Sequence, residues 1–343
     1  MARFLPWVIL LAVAAIWGAA FALIKYLVGF IGPYELLVLR FVPVTVITAL
    51  WIGLFYRKEI ARVLPKFWWI FLVLSGTWVI FYHMVLNIGE TILPASAAGL
   101  IISTYPVFTV LVAAILRSEK LTWARGIGGL VALTGTALLT ILGATDEAER
   151  IHVTSAQWIT YSLFTLIAPI SAACTTLATR RCLVGDGKGN GGIDSLIMTL
   201  GYMAPSGIFA MAFYRPELLP RLATVPVGFW LALGGLVVFC TVLSQFGWFW
   251  VLQNMEAGPA AISTYLIPIF SLAYARIWLN EPIRFPTIIA AVGIVAGVVI
   301  SGLGRRGGSG GVHPDTSEKN RGLTWSERAF TLMGPRSRKP KSP

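Results

Sequence analysis

Apolar runs of roughly 20 residues, separated by short charged segments, constrain this chain more than any other feature. The hydrocarbon layer of a bilayer is about 30 Å thick and a helix rises about 1.5 Å per residue, so a run of this length spans it as a helix. Strands of a membrane barrel would alternate apolar and polar residues, and these runs do not. The composition agrees. The chain is 57% hydrophobic and 12% charged, with mean hydropathy +0.77, whereas a soluble domain is about 25% charged. That is more apolar surface than one soluble core can bury.

The pattern predicts an all-α integral membrane protein with ten spanning helices, at 4–24, 33–55, 67–87, 93–116, 123–142, 155–180, 194–214, 228–252, 258–279 and 283–303. Pro33, Pro226 and Pro282 stand near helix starts, where a missing N–H costs nothing. The first run, Phe4–Ile24 with Arg3 before it, outlasts the roughly 7–15 apolar residues of a signal-peptide core, so it reads as an uncleaved first helix. From Arg305 to Pro343 the chain is rich in Gly, Ser, Pro, Lys and Arg, a composition expected to be a disordered basic tail. The domains read as 1–142, a connector at 143–154, 155–304, and the tail at 305–343.

The net charge of +12 would suggest nucleic acid in a soluble protein. Here the basic residues lie in loops and the tail, where they set orientation. With the N-terminus cytoplasmic, Arg57, Lys58, Arg62, Lys66, Arg117, Lys120, Arg125, Arg180, Arg181 and Lys188 fall inside. Lys25, Arg150, Arg215, Arg221, Arg284 and the acidic Asp146, Glu147 and Glu149 fall outside. Both termini are therefore expected in the cytoplasm, with 143–154 as a periplasmic connector. Cys174, Cys182 and Cys240 lack metal-ligand spacing and read as reduced structural thiols.

The chain also repeats itself. Pro43 and Pro205, Trp68 and Trp230, Pro106 and Pro268, and Glu119 and Glu281 are each 162 positions apart, with no gap. Each half would hold five helices. Five is odd, so the second half would enter the membrane from the opposite side, the inverted-repeat plan of many secondary transporters.

Several motifs follow this order. Trp17-Gly18-Ala19-Ala20-Phe21 lies in the first helix. Pro94-Ala95-Ser96-Ala97-Ala98 runs on to Tyr105-Pro106-Val107-Phe108, then to Glu119-Lys120-Leu121-Thr122, Gly126 and Gly135. Gly258-Pro259-Ala260-Ala261, Pro268, Glu281 and Gly297 repeat the theme. Over residues 4–303 the chain resembles the EamA family of the drug/metabolite transporter superfamily. The resemblance implies two inverted five-helix repeats and transport of small metabolites, often export of amino acids or related compounds. The chain is expected in a bacterial inner membrane, crossing it many times. The sixth helix departs from it, because Ile170-Ser171-Ala172-Ala173-Cys174 lacks the Trp-Gly of the first.

Candidate binding residues come from depth and repeat position. His83, beside Tyr82, has Gln245 as its mate, near Trp248. Polar groups at membrane depth face a bundle interior or a water-filled cavity, so the pair reads either as a solute site, with His83 a proton carrier, or as interhelical hydrogen bonding. Ser103 and Tyr265 form a second pair, beside Tyr105 and Ser263, as solute-binding hydroxyls or local backbone bonds. Trp17 would add an aromatic wall. Pro106 and Pro268 would kink two helices and permit gating, or be tolerated membrane prolines. Arg40 and Arg276 read as snorkelling cations, and either would suit a carboxylate if it faced a cavity. Glu35, Glu90, Glu119, Glu256 and Glu281 sit near helix ends, which leaves no evident carboxylate relay. The small residues Gly128, Ala132 and Thr136, and Gly293, Gly297 and Ser301, form ridges for close helix packing or a homodimer.

No cofactor or metal site is expected. The Gly185–Gly192 stretch is not a phosphate loop, since Gly follows Lys188. His83, His152 and His313 do not build a hydrolase site, and no nucleotide domain is present. The expected partners are a small solute and the bilayer, not nucleic acid. A membrane scaffold without transport is the competing class, but a scaffold does not need mirrored polar pairs at the midplane.

Overall fold

Inside a bilayer there is no water to satisfy peptide groups, so each apolar run must close its own hydrogen bonds. The computed structural model describes residues 5–115, 123–150, 152–184, 193–254 and 257–303, and every regular element among them is helical. The first half holds α1 (Leu5–Val28), α2 (Pro33–Trp51), α3 (Arg57–Gly76), α4 (Val85–Ile92), α5 (Ala95–Ile102), α6 (Tyr105–Ile115) and α7 (Trp123–Arg150). The second holds α8 (Ser155–Thr165), α9 (Ile167–Val184), α10 (Ser195–Met203), α11 (Ser206–Met211), α12 (Leu218–Leu222), α13 (Val227–Gly234), α14 (Ser244–Asn254), α15 (Ala257–Leu279) and α16 (Phe285–Leu303). Wider π-helical turns occur at Ile52–Tyr56, Thr77–Met84 and Gly235–Leu243.

Among the described residues, Leu5–Val28, Pro33–Ile92, Ala95–Ile115, Ser155–Thr179 and Val227–Trp248 are long and apolar enough to cross a membrane, and shorter apolar helices accompany them. Large apolar side chains such as Leu54, Trp68, Leu130, Leu163, Leu231 and Phe285 point outward, a surface suited to lipid. This is a multi-pass membrane protein.

Element boundaries differ from expectation in several places, and the expected helices at 155–180 and 194–214 are each observed as two, α8 with α9 and α10 with α11. The expected loop after residue 55 is helical, and Pro33–Ile92 runs for 60 residues. It is not one rod. Tyr56 leaves helical geometry at φ −125°, ψ 17°, and α2 packs on the Thr77–Met84 segment and on α4, so the chain turns back there. Helix α7 continues through the acidic cluster to Arg150, because Ala, Glu and Arg favour helix where no lipid demands otherwise. The apolar run at 93–116 is broken: α5 ends at Ile102 and α6 begins at Tyr105.

Packing repeats with the sequence. The Cβ that Gly135 lacks would lie 2.8 Å from Ile294 N and 3.0 Å from Ala290 O, and that of Gly297 would lie 2.5 Å from Gly128 O and against Ala132 N. Gly135 with Gly297, Gly128 with Ala290, and Ala132 with Ile294 are each 162 apart. The two small-residue ridges thus pack on each other, and α7 crosses α16 about a local two-fold. A second self-matching contact joins α2 to α11, where Gly207 N donates to Thr45 Oγ1 at 2.7 Å across the same 162 positions.

Candidate functional site

Arg40 is the first surprise of the interior. It lies one turn from both Leu36 and Val44 on the buried face of α2, and it is 2% exposed. It does not snorkel. Its Nε donates to Thr241 Oγ1 at 2.9 Å, and its Nη1 lies 3.1 Å from His83 Nδ1. The guanidinium also sits 5.4 Å from the centre of the Phe41 ring. Arg276, in contrast, is exposed.

The contact fixes the chemistry of His83. A guanidinium can only donate, so Nδ1 accepts and the ring proton belongs on Nε2. His83 is 3% exposed, and Nε2 has no hydrogen-bond partner. Phe41, Trp78 and Tyr82 enclose the ring, with centroids at 4.9, 4.9 and 4.7 Å. Trp78 and Tyr82 stack on each other at 4.9 Å. Arg40, Trp78 and Thr241 were not selected by the repeat, because their mates are Tyr202, Cys240 and Val79. The i, i+4 line Leu36, Arg40, Val44, Thr48 was the signal that could have placed Arg40 inside.

The π segment ending at Leu243 and α14 carry the site onward. Thr241 holds Leu236 O at 2.8 Å, five residues back. Ser244 accepts from Trp17 Nε1 at 2.9 Å and donates to Cys240 O. Trp17 meets Trp248 at 5.5 Å between centroids. Gln245 is buried beside Ser244. Residues 241, 244, 245 and 248 therefore form one helical stripe, which touches α1 through Trp17 and α2 through Arg40. The structure joins Trp17 to Trp248 and Tyr82 to His83. His83 and Gln245 have no direct bond among the described contacts.

The remaining candidates are more scattered. The Tyr105 hydroxyl lies 3.4 Å from Thr176 Oγ1 on α9. Ser103 Oγ donates to Gly99 O at 2.6 Å, a local backbone bond. Pro106 sits in the first turn of α6, after the break at Ser103–Thr104, whereas Pro268 lies inside the continuous α15. The backbone at Tyr265 and Ser263 is helical, but their side chains lie outside the described residues. So do Glu119, Glu256, the Gly185–Gly192 stretch and the tail from Gly304.

Two acidic side chains stand at the opposite end of α4 from the π segment. Glu281 accepts from Ala95 N at 2.8 Å, Ser96 N at 3.1 Å and Ser96 Oγ at 2.7 Å. A carboxylate there neutralises the open amides at the start of α5. Glu90 is fully buried, and neither carboxyl oxygen has a hydrogen-bond partner. A separate surface cleft of about 300 Å³, lined by Tyr34, Ala212, Phe213, Tyr214 and Arg215, contains none of the residues above. Among the described residues no group of His, Cys, Asp and Glu could hold a metal ion.

Comparison with known proteins bears on the chain as a whole. The model of the EamA-like transporter family matches twice, at residues 5–141 and 159–303. A probable terminal-alkyne amino-acid exporter of Streptantibioticus cattleyicolor is 28% identical over 88% of this chain and 95% of its own length. An uncharacterized transporter of Archaeoglobus fulgidus is 26% identical over 86% of this chain and 97% of its own. A probable amino-acid metabolite efflux pump of Escherichia coli is 23% identical over 87% and 95%. One solved crystal structure superposes with a TM-score of 0.56 at 18% identity, over 87% of this chain and 96% of that one, a likeness of fold.

Proposed function

Because this chain belongs to the EamA-like transporter family, and is a transporter rather than an enzyme, we propose that it exports amino acids or related small metabolites by alternating access. In this reading ten helices form two inverted five-helix repeats in a bacterial inner membrane, with both termini cytoplasmic. The solute binds between the repeats, on the Thr241–Trp248 stripe, with Trp17, Tyr82, His83, Gln245 and Tyr105 around it and Tyr265 contributing from α15. The break before Pro106 and the Pro268 position in α15 are the flexing points.

One observation carries the reading: the buried Arg40 bridges Thr241 from the second half and His83 from the first. An arginine at a helix centre costs about 2.5–3.5 kcal/mol on insertion scales, and a scaffold gains nothing from that cost. The guanidinium has more N–H donors than these two bonds use, so it suits the carboxylate of an amino-acid-like solute. The names of two relatives point to the same solute class and to outward movement.

The test is transport by purified protein in liposomes against a panel of amino acids and related metabolites. His83→Ala and Gln245→Ala should lower transport of the active solutes by about tenfold or more at equal folded protein. Leu266→Ala should leave it near wild type. Wild-type rates in both polar variants would contradict the site.

A further inference from the structure

Glu90 is an acidic side chain of the described interior that the solute site does not explain, and it is more deeply buried than Glu35, which is 5% exposed. It is 0% exposed on α4, and no hydrogen bond reaches Oε1 or Oε2. Its neighbour Lys25, in the last turn of α1, donates from Nζ to the backbone carbonyl of Glu90 itself at 2.7 Å. The ammonium is thus held on the same residue whose carboxyl oxygens are unbonded. A buried ionised carboxylate without donors costs several kcal/mol. Intramembrane carboxyls of this kind mark ion and proton pathways.

The surroundings suit a group that changes charge. Among the described residues, Lys25 on α1, Arg40 on α2 and Glu281, which caps α5, are the charged groups in electrostatic reach of Glu90. Tyr82, on the neighbouring π segment, is a further titratable neighbour. His83 on that segment is engaged by Arg40. Helices α8 and α9 also pack on α4 and add no charged neighbour to this set among the described residues.

We propose that Glu90 carries the coupling proton of this transporter, an inference that rests on the transport reading above. In the conformation seen, a proton occupies one carboxyl oxygen and Lys25 stays on the carbonyl. When the site opens to the cytoplasm the O–H bond breaks, the proton passes to water, and Lys25 turns from the carbonyl to the carboxylate. Proton entry from outside reverses this exchange and releases Lys25. One proton moves inward for each solute moved outward, and Lys25 is the positioning residue.

Two measurements test this. Infrared spectra of purified protein at neutral pH should show the carbonyl band of a protonated carboxylic acid that is lost in Glu90→Gln; no such difference overturns the proposal whatever the solute. In liposomes, a pH gradient should drive accumulation of a labelled amino-acid mixture towards about tenfold per pH unit, the limit for one proton per solute. Glu90→Gln should retain counterflow of the label but lose gradient-driven accumulation, and Glu90→Asp should restore part of it. Accumulation by Glu90→Gln equal to wild type, or wild-type counterflow that ignores the gradient, overturns it. Absence of wild-type counterflow refutes transport of this solute class instead, and the infrared band then decides the state of Glu90 alone.

Discussion

Arg40 shows how far single residues could be read. Its position along an apolar run suggests snorkelling, yet snorkelling depends on which way the helix is turned, and the run is apolar on most sides. The buried neighbours Leu36, Leu37, Phe41 and Val44 turn Arg40 inward, where Thr241 and His83 meet it. His83 was legible as a site candidate from its depth and its mate Gln245. The further reading of His83 as a proton carrier does not fit this geometry, because with Arg40 donating to Nδ1 the ring cannot take a second proton while that bond stands. Glu90 was hidden for another reason: nearness to a helix end in sequence says nothing about burial. Arg40→Gln should leave His83 and Thr241 short of a partner, a cost of about 1–3 kcal/mol. Its apparent affinity for carboxylate-bearing solutes should fall by about 10–100-fold, the equivalent of one charged hydrogen bond, with amide analogues little changed. Equal loss for both solute types in competition assays would remove Arg40 from carboxylate recognition.

At the scale of elements, hydropathy located the apolar runs, but it did not show their interruptions. The π segments at Thr77–Met84 and Gly235–Leu243 carry His83 and Thr241, and such widened turns often occur at functional sites. They depend on backbone register, which composition does not record. The α7–α16 contact was half legible. The ridges of small residues were visible, but not that each is the other's partner. Gly297 has backbone where a Cβ would go, whereas Gly126 has nothing within 4 Å. Gly297→Leu should therefore lower thermal stability by about 1–3 kcal/mol or more, the range for overpacking, and Gly126→Leu should be close to neutral. A melting scan in detergent checks both. Equal melting temperatures for Gly297→Leu and wild type would show that the crossing is looser than described.

For the whole molecule, the spacing of 162 positions is legible in the sequence, and the matched contacts of Gly135 with α16 and of Gly297 with α7, and the bond between Gly207 and Thr45, follow it. Orientation rests on the basic residues alone, and reporter fusions after Arg62 and after Glu147 should report opposite sides of the membrane. Fusions reporting one side would require a different number of spans between them. A solute site between the two halves that opens alternately to each side should show trans-stimulation. Liposomes containing the protein are loaded with an unlabelled amino-acid mixture, and entry of the labelled mixture is timed against unloaded ones. A carrier returns faster with solute bound, so loading should accelerate entry several-fold, with saturation at high concentration. Entry that equals protein-free liposomes, or that rises without saturation and ignores loading, would contradict the account.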